Sequence, residues 1–277
     1  MLNLSFPAVM GILNVTPDSF SDGGLFVEPA AALAHARRMI SAGADLIDIG
    51  GESTRPGAAA VSVDVELERT VPLVRAIRKE SDVPLSIDTS SPEVMREAAS
   101  AGVDLINDVR ALQRKGALAA AAETGLPVCL MHMQGQPATM QQNPHYSDLV
   151  AEIKAFFQAR IAACEAAGID RSRLLLDPGF GFGKTPAQNL RLINQLDTFT
   201  SFGLPILVGL SRKSTIGEVL GDPDEDRKYG SIAGAVMAVA RGASIVRVHD
   251  VAETVQAIAV ARAIMAESVN RRKNERA

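Results

Sequence analysis

The sequence predicts one (β/α)8 barrel spanning residues 1–277, an α/β fold whose active site sits at the C-terminal mouth of the strands. Three observations carry that prediction. The chain has 277 residues, close to the ~250 typical of this fold. Eight short runs rich in Val, Ile and Leu recur at 8–13, 45–49, 84–87, 103–106, 127–131, 173–176, 204–208 and 244–248. Helical stretches rich in Ala lie between them, among them 29–42, 65–79, 93–101, 147–167 and 251–267. Unbroken apolar runs fit parallel strands covered on both faces, and their alternation with helices reads as successive βαβ units.

Taken in order, each strand run ends at or just before a polar or flexible group. These are Asn14, Asp48, Asp88, Asn107, His132, Asp177, the 209–211 turn (Gly-Leu-Ser) and His249. In a barrel such ends converge on one face, where the chemistry of this fold resides. Helix capping explains any one of them. It does not explain the set, because Asp177 precedes Pro178 and a Gly-rich stretch rather than a helix. Several helices close on a Gly pair, as at Ala42-Gly43 and Ala101-Gly102, where glycine relieves left-handed strain. The connections after strands 1 and 2 (16–28 and 50–62) far exceed the usual ~2–6 residues, as binding loops or lids do. The last residues, 270–277, form a polar tail expected to fray.

Composition removes several functions. The formal charge of −4 argues against nucleic acid or an acidic membrane as partner. No run of ~18 apolar residues offers a membrane span, and no signal peptide is read at the start. The two cysteines, Cys129 and Cys164, lack CxxC spacing and are expected free and buried, in a reducing cytoplasm.

The segment Asp177-Pro-Gly-Phe-Gly-Phe-Gly-Lys184-Thr185 misses the P-loop pattern by one residue, because Pro178 stands where the first Gly belongs. Its glycines let backbone approach a flat ligand, and Phe180 and Phe182 are both candidates to stack on that ligand, Phe182 the favoured one; the alternative is that one of the two is core and the other an exposed loop residue. Asp88, Asn107 and Asp177 suit a planar heterocycle with a guanidine-like edge, since a carboxylate accepts paired N–H bonds. A magnesium site is the rival reading of those oxygens. Cations gather apart from them: Ser211-Arg212-Lys213-Ser214 after strand 7 and Arg247-Val-His249 at strand 8, where this fold usually binds phosphate. Arg247 interrupts an apolar strand, and Arg55 reaches in from loop 2. His132 and His249 are candidate general bases; His35, His145 and Tyr146 read as structural. There is no triad pairing and no HExxH.

With these motifs in place, the chain resembles the dihydropteroate synthases, the pterin-binding folate-pathway enzymes that sulfonamides target. The matching segments are Met10-Gly-Ile-Leu-Asn-Val-Thr-Pro-Asp-Ser-Phe-Ser-Asp-Gly-Gly24, Asp48-Ile-Gly-Gly-Glu-Ser-Thr-Arg-Pro-Gly57, Ser86-Ile-Asp-Thr89, Ile106-Asn-Asp-Val109, Met131-His-Met-Gln-Gly135, the 177–184 segment, Ser211-Arg-Lys-Ser214 and Arg247-Val-His-Asp250. They run through essentially the whole chain. The resemblance implies condensation of (7,8-dihydropterin-6-yl)methyl diphosphate with 4-aminobenzoate. It implies a pterin site of Asp88, Asn107, Asp177, Lys213 and Phe182, and a diphosphate site of Asn14, Arg247 and His249 with Mg²⁺ at Asn14. It implies an aminobenzoate site of Phe20, Thr54, Arg55, Pro56, Phe182 and Ser211, and a homodimer through the last helices. Asp22, Arg55, Asp88 and Lys213 are the expected catalytic groups, with Asp22 favouring positive charge on the pterin. The reaction breaks a CH₂–O bond beside an electron-rich ring, so an S_N1-like order needs anion stabilisation and exclusion of water rather than a nucleophile of the protein. Two alternatives are a methyltetrahydrofolate-dependent corrinoid methyltransferase and a non-catalytic pterin-binding paralogue. The first has no use for the cationic cluster, the second none for the long loops.

Overall fold

The computed structural model describes residues 4–16, 29–53, 61–137, 139–221 and 226–268. Phe20, Asp22, Thr54, Arg55 and Pro56, and the expected tail, lie outside the described residues. Strands β1 (Ala8–Asn14), β2 (Leu46–Gly50), β3 (Leu85–Asp88), β4 (Leu105–Asp108), β5 (Val128–Met131), β6 (Leu174–Asp177), β7 (Leu207–Val208) and β8 (Ile245–Val248) form one parallel sheet. Its order is β6-β5-β4-β3-β2-β1-β8-β7. A single bridge from Leu176 to Ile206 joins β6 to β7 and closes the barrel. Helices α1 (Pro29–Ser41), α2 (Val63–Arg78), α3 (Pro92–Ala101), α4 (Ala117–Thr124), α5 (Leu149–Ala166), α6 (Pro186–Asn194), α8 (Lys228–Ala240) and α9 (Val251–Met265) follow successive strands, with the short α7 (Ser214–Leu220) inserted after β7.

Local signals explain where the helices start. Asp148 accepts from Val150 and Ala151 at the start of α5. Thr185 and Gln188 form a capping box at α6, which satisfies two backbone donors that the first turn leaves open. The outward faces of the strands pack on the helices in one large core, with Val9, Ile47, Ile87, Ile106, Leu130, Leu176 and Val246 at its centre. Inside the barrel a smaller cluster fills the floor: Met10, Leu46, Leu105, Cys129, Leu175, Leu207 and Ile245. Both cysteines are free and buried.

That floor sets the site. Side chains alternate across a strand, so residues two positions on share a face. Asp48 is two past Leu46, Asn107 two past Leu105, Asp177 two past Leu175 and Arg247 two past Ile245. Each therefore points into the barrel, one layer above the apolar floor.

Most strand boundaries move by a residue from the sequence reading, and three of the differences bear on the site. β2 runs on to Gly50, so Asp48 lies inside the strand and fully buried rather than at its end. β4 begins later and includes Asn107 and Asp108, whose backbone continues the ladder. β7 shrinks to Leu207–Val208, since 204–206 meets β6 at one bridge alone.

Candidate active site

The strand ends open into one cavity of about 910 Å³. Asn14, Asp88, Asn107, Asp177, Phe182, Ser211, Lys213, Arg247 and His249 all line it, so the structure brings together every residue of the expected substrate sites that it describes. Asp177 and Arg247 face the same space, near enough for one small molecule to span.

The acidic and basic groups are not the separate clusters that the sequence suggested. Arg247 donates from Nε to Asp48 Oδ2 at 2.6 Å and from Nη2 to Asp88 Oδ2 at 3.0 Å. Asn107 donates to the same Asp48 oxygen at 3.2 Å. Asp48 thus seats both residues from below, and its Oδ1 is buried with no hydrogen-bond partner among the described residues. Burial pushes Asp88 up to about 7, while Arg247 pulls it back and Asp48 adds to the rise. Arg247 stays charged, held above its ordinary value by the two carboxylates against the effect of burial.

The supposed 211–214 cation pair also divides. The Arg212 side chain turns to Asp250, which it grips at 3.0 and 2.5 Å. Its backbone adopts φ 58°, a left-handed conformation uncommon for a residue with a Cβ, and Ser231 Oγ accepts from its N–H at 2.8 Å. That turn sends Lys213 inward. Its Nζ donates to the Phe180 carbonyl and stands 4.3 Å from the Phe182 ring centroid. Burial lowers Lys213 to about 7, and Asp177 opposes that fall. Asp177 is itself raised by burial and pulled back by Lys213.

The loop after β6 is clasped through its carbonyls. Lys184 takes Gly179 O (2.9 Å) and Phe182 O (3.0 Å), Gln141 takes Gly181 O (2.7 Å), Tyr146 takes Gly183 O (2.9 Å), and Lys213 takes Phe180 O. Glycine is required at 179, where φ is +72° and a Cβ would collide with the His132 carbonyl. Phe180 is buried in the core and Phe182 lies half-buried at the cavity, so of the two candidates for stacking only Phe182 faces the ligand space.

His132, a candidate general base in the sequence, is buried and does not line the cavity. Burial, reinforced by Lys184, lowers it to about 2, and its Nδ1 lies 3.1 Å from Lys184 Nζ. His249 Nδ1 meets Ser211 Oγ at 3.0 Å. Tyr146 is structural, as expected, through its bond to Gly183.

The family model for pterin-binding enzymes matches residues 10–249. Dihydropteroate synthase of Escherichia coli is 57% identical over 271 residues, covering 98% of this chain and 96% of that protein. The chain belongs to the dihydropteroate synthase family of pterin-binding enzymes. As a member of that family it is a transferase. Among solved structures, the Yersinia pestis dihydropteroate synthase with a sulfonamide drug superposes with a TM-score of 0.92 at 59% identity over 96% of each chain. The Xanthomonas albilineans synthase in complex with 7,8-dihydropteroate matches with a TM-score of 0.86 at 49% identity, again over 96% of each.

Two residues of this synthase site escaped the sequence reading. Asp48 was noted as a strand end but given no task. Its signal was legible: a carboxylate inside the apolar run Leu46-Ile47-Asp48-Ile49 is as anomalous as Arg247 in its own strand. Lys184 was weighed only as a P-loop lysine. Nothing in the sequence reports where five carbonyls point.

Proposed function

We propose that the chain condenses (7,8-dihydropterin-6-yl)methyl diphosphate with 4-aminobenzoate by a dissociative transfer, releasing diphosphate and 7,8-dihydropteroate. One observation carries this reading: Asp177 and Arg247 share a cavity of about 910 Å³. A relative bound to 7,8-dihydropteroate and another bound to a sulfonamide support the choice of substrates.

In this proposal Asp88, Asn107, Asp177 and Lys213 hold the pterin edge, and Phe182 covers its face. Asn14, Arg247 and His249 receive the diphosphate. The CH₂–O bond breaks with its electron pair going to the diphosphate oxygen. The positive charge left on carbon spreads into the pterin ring, which Asp88 and Asp177 favour electrostatically, with Asp22 from loop 1. The arylamine nitrogen then forms the C–N bond and sheds its proton to water. Ser211 and Phe182 line the arylamine side with Phe20, Thr54, Arg55 and Pro56 of the two long loops. Those loops keep water from the cation.

Mg²⁺ belongs to the same proposal. Among the described residues no group of three His, Cys, Asp or Glu is placed to hold a metal. The Asn14 amide oxygen and Asp88 carboxylate both flank Gly50, and hard oxygens of this kind suit an ion that keeps most ligands from water and phosphate. Bound through Asn14, Mg²⁺ would neutralise charge on the leaving diphosphate.

A homodimer through α8 and α9 is proposed as well. Tyr229, Met237, Val260 and Ile264 are large apolar side chains left 51–78% exposed there, and exposed apolar surface of this kind supports an association surface. Sedimentation velocity at micromolar concentration checks it: a species of twice the chain mass is expected. No described helix is long and apolar enough to cross a membrane. A reducing cytoplasm is the proposed location, supported by the two unpaired cysteines.

The order of steps is tested with pterin diphosphate alone. Labelled diphosphate should exchange into the substrate before 4-aminobenzoate is added. No exchange until the amine binds overturns the dissociative order.

A further inference from the structure

We propose that Lys184 is a positioning residue for the pterin site, holding the turn after β6 so that Asp177 and Phe182 present themselves to the ring. The inference rests on the pterin reading above but concerns a residue to which that reading gives no part.

Lys184 is only 2% exposed, among the largest fully buried side chains in the protein. A buried lysine is costly unless every proton finds a partner. Here an ammonium has three protons and three acceptors: Gly179 O at 2.9 Å, Phe182 O at 3.0 Å and His132 Nδ1 at 3.1 Å. His132 is kept neutral by burial and by Lys184. Nδ1 is the ring nitrogen that faces the ammonium, at 3.1 Å, and accepts from it when the ring proton is on Nε2.

The partners close a circuit on Asp177. The Gly179 N–H donates to Asp177 Oδ1 at 2.7 Å, while Lys184 grips the carbonyl of the same glycine. The His132 backbone N–H donates to the Asp177 carbonyl at 2.8 Å, while Lys184 grips the ring of the same histidine. Lys184 therefore pins both residues that orient Asp177, one on each side. Its third bond fixes the carbonyl of Phe182, whose ring lies against Lys213. Asp177 keeps Oδ2 for a ligand because Oδ1 is spoken for. All three Lys184 bonds go to protein atoms, so its effect on a ligand is exerted through Asp177 and Phe182.

Lys184→Met keeps the length and removes the three donors. It should weaken binding of 6-hydroxymethylpterin, measured calorimetrically, by about tenfold or more, the scale of a displaced binding group. KM for 4-aminobenzoate should rise less than the pterin dissociation constant, since two of the three bonds act on Asp177 and only the one to the Phe182 carbonyl reaches the arylamine side. His132→Asn keeps an acceptor near Nδ1 and should bind pterin nearly as the parent does. His132→Leu should bind weakly, and its loss should not add to that of Lys184→Met, because both cut one circuit.

If Lys184→Met does not fold, the two His132 variants carry the test alone: equal pterin affinity in both overturns the proposal. Lys184→Ala supplies a further check. n-Propylammonium, which replaces the severed atoms, should restore pterin affinity, and n-butanol of similar size should not. Equal rescue by both reduces Lys184 to packing and overturns the proposal. So does a folded Lys184→Met that binds pterin within twofold of the parent. Failure of the parent itself to bind the pterin would instead overturn the pterin reading.

Discussion

The two sides of the cavity are built differently. On the β2–β4 side Asp48, Asp88 and Asn107 stand on strands, and neighbouring strands are in continuous register. Asp48 pairs with Ser86, Gly50 with Asp88, and Asp88 with Asn107. Their counter-ion, Arg247, is also strand-borne. On the β6–β7 side only Asp177 is on a strand. Its partners Lys184, Lys213 and Phe182 sit on loops, and the strands beneath them touch at one bridge. Where buried charges must be held against one another, the ladder itself fixes the distance. Where donors must meet a flat ring, a glycine-rich loop is shaped first and then immobilised by side chains that capture its carbonyls.

The largest break comes on the strand-borne side. Arg247→Leu leaves Asp48 and Asp88 buried without their cation, and unfolding in urea should show a loss of about 3–5 kcal/mol, the range for a broken buried pair. Adding Asp48→Asn to that variant should recover part of it. A loss below about 1 kcal/mol would mean the network is a surface feature and would erase the contrast between the two sides.

Arg55→Ala tests whether either side depends on loop 2. Turnover should fall by about 10²-fold or more, as for a lost transition-state contact, with pterin affinity nearly unchanged. Equal losses in both would move Arg55 into the ground-state pterin site.

Next is pH. His132 is lowered to about 2 in the folded chain from an ordinary 6.5. The unfolded chain therefore binds a proton that the folded chain refuses between those values. Stability from this group is fully present above pH 6.5 and is lost as pH falls, by about 1.4 kcal/mol per unit. Urea midpoints at pH 6.5 and 5.0 should separate more in the parent than in His132→Asn. Identical slopes would show that the loop side does not keep this ring neutral. The smallest effect is Thr185→Ala, which removes the capping box of α6. About 1 kcal/mol is expected, read as a fall of a few degrees in melting temperature.

The barrel was legible because parallel strands covered on both faces read as unbroken apolar runs, and all eight of them are strands. The cavity residues were legible as polar groups terminating those runs. The pairing among them was not. Arg247 and Asp48 are 199 positions apart in sequence, and whether a carboxylate lies at a strand end or inside the strand turns on a boundary shift of one residue. Asp48 fell on the wrong side of that shift. Lys184 and His132 were misjudged for another reason: both are governed by carbonyl directions that arise only once Gly179 takes a positive φ. Arg212 looked like an anion ligand until its left-handed backbone turned it toward Asp250.

The single bridge between Leu176 and Ile206 has a further consequence. A ring joined by ladders of two to five residue pairs elsewhere and by one bridge here unzips there first, so deuterium should enter the amides around that joint before it reaches β1 or β2. A small molecule seated between Asp177 on one lip and Ser211 on the other would act as a brace across the gap, lending the barrel rigidity it lacks when empty.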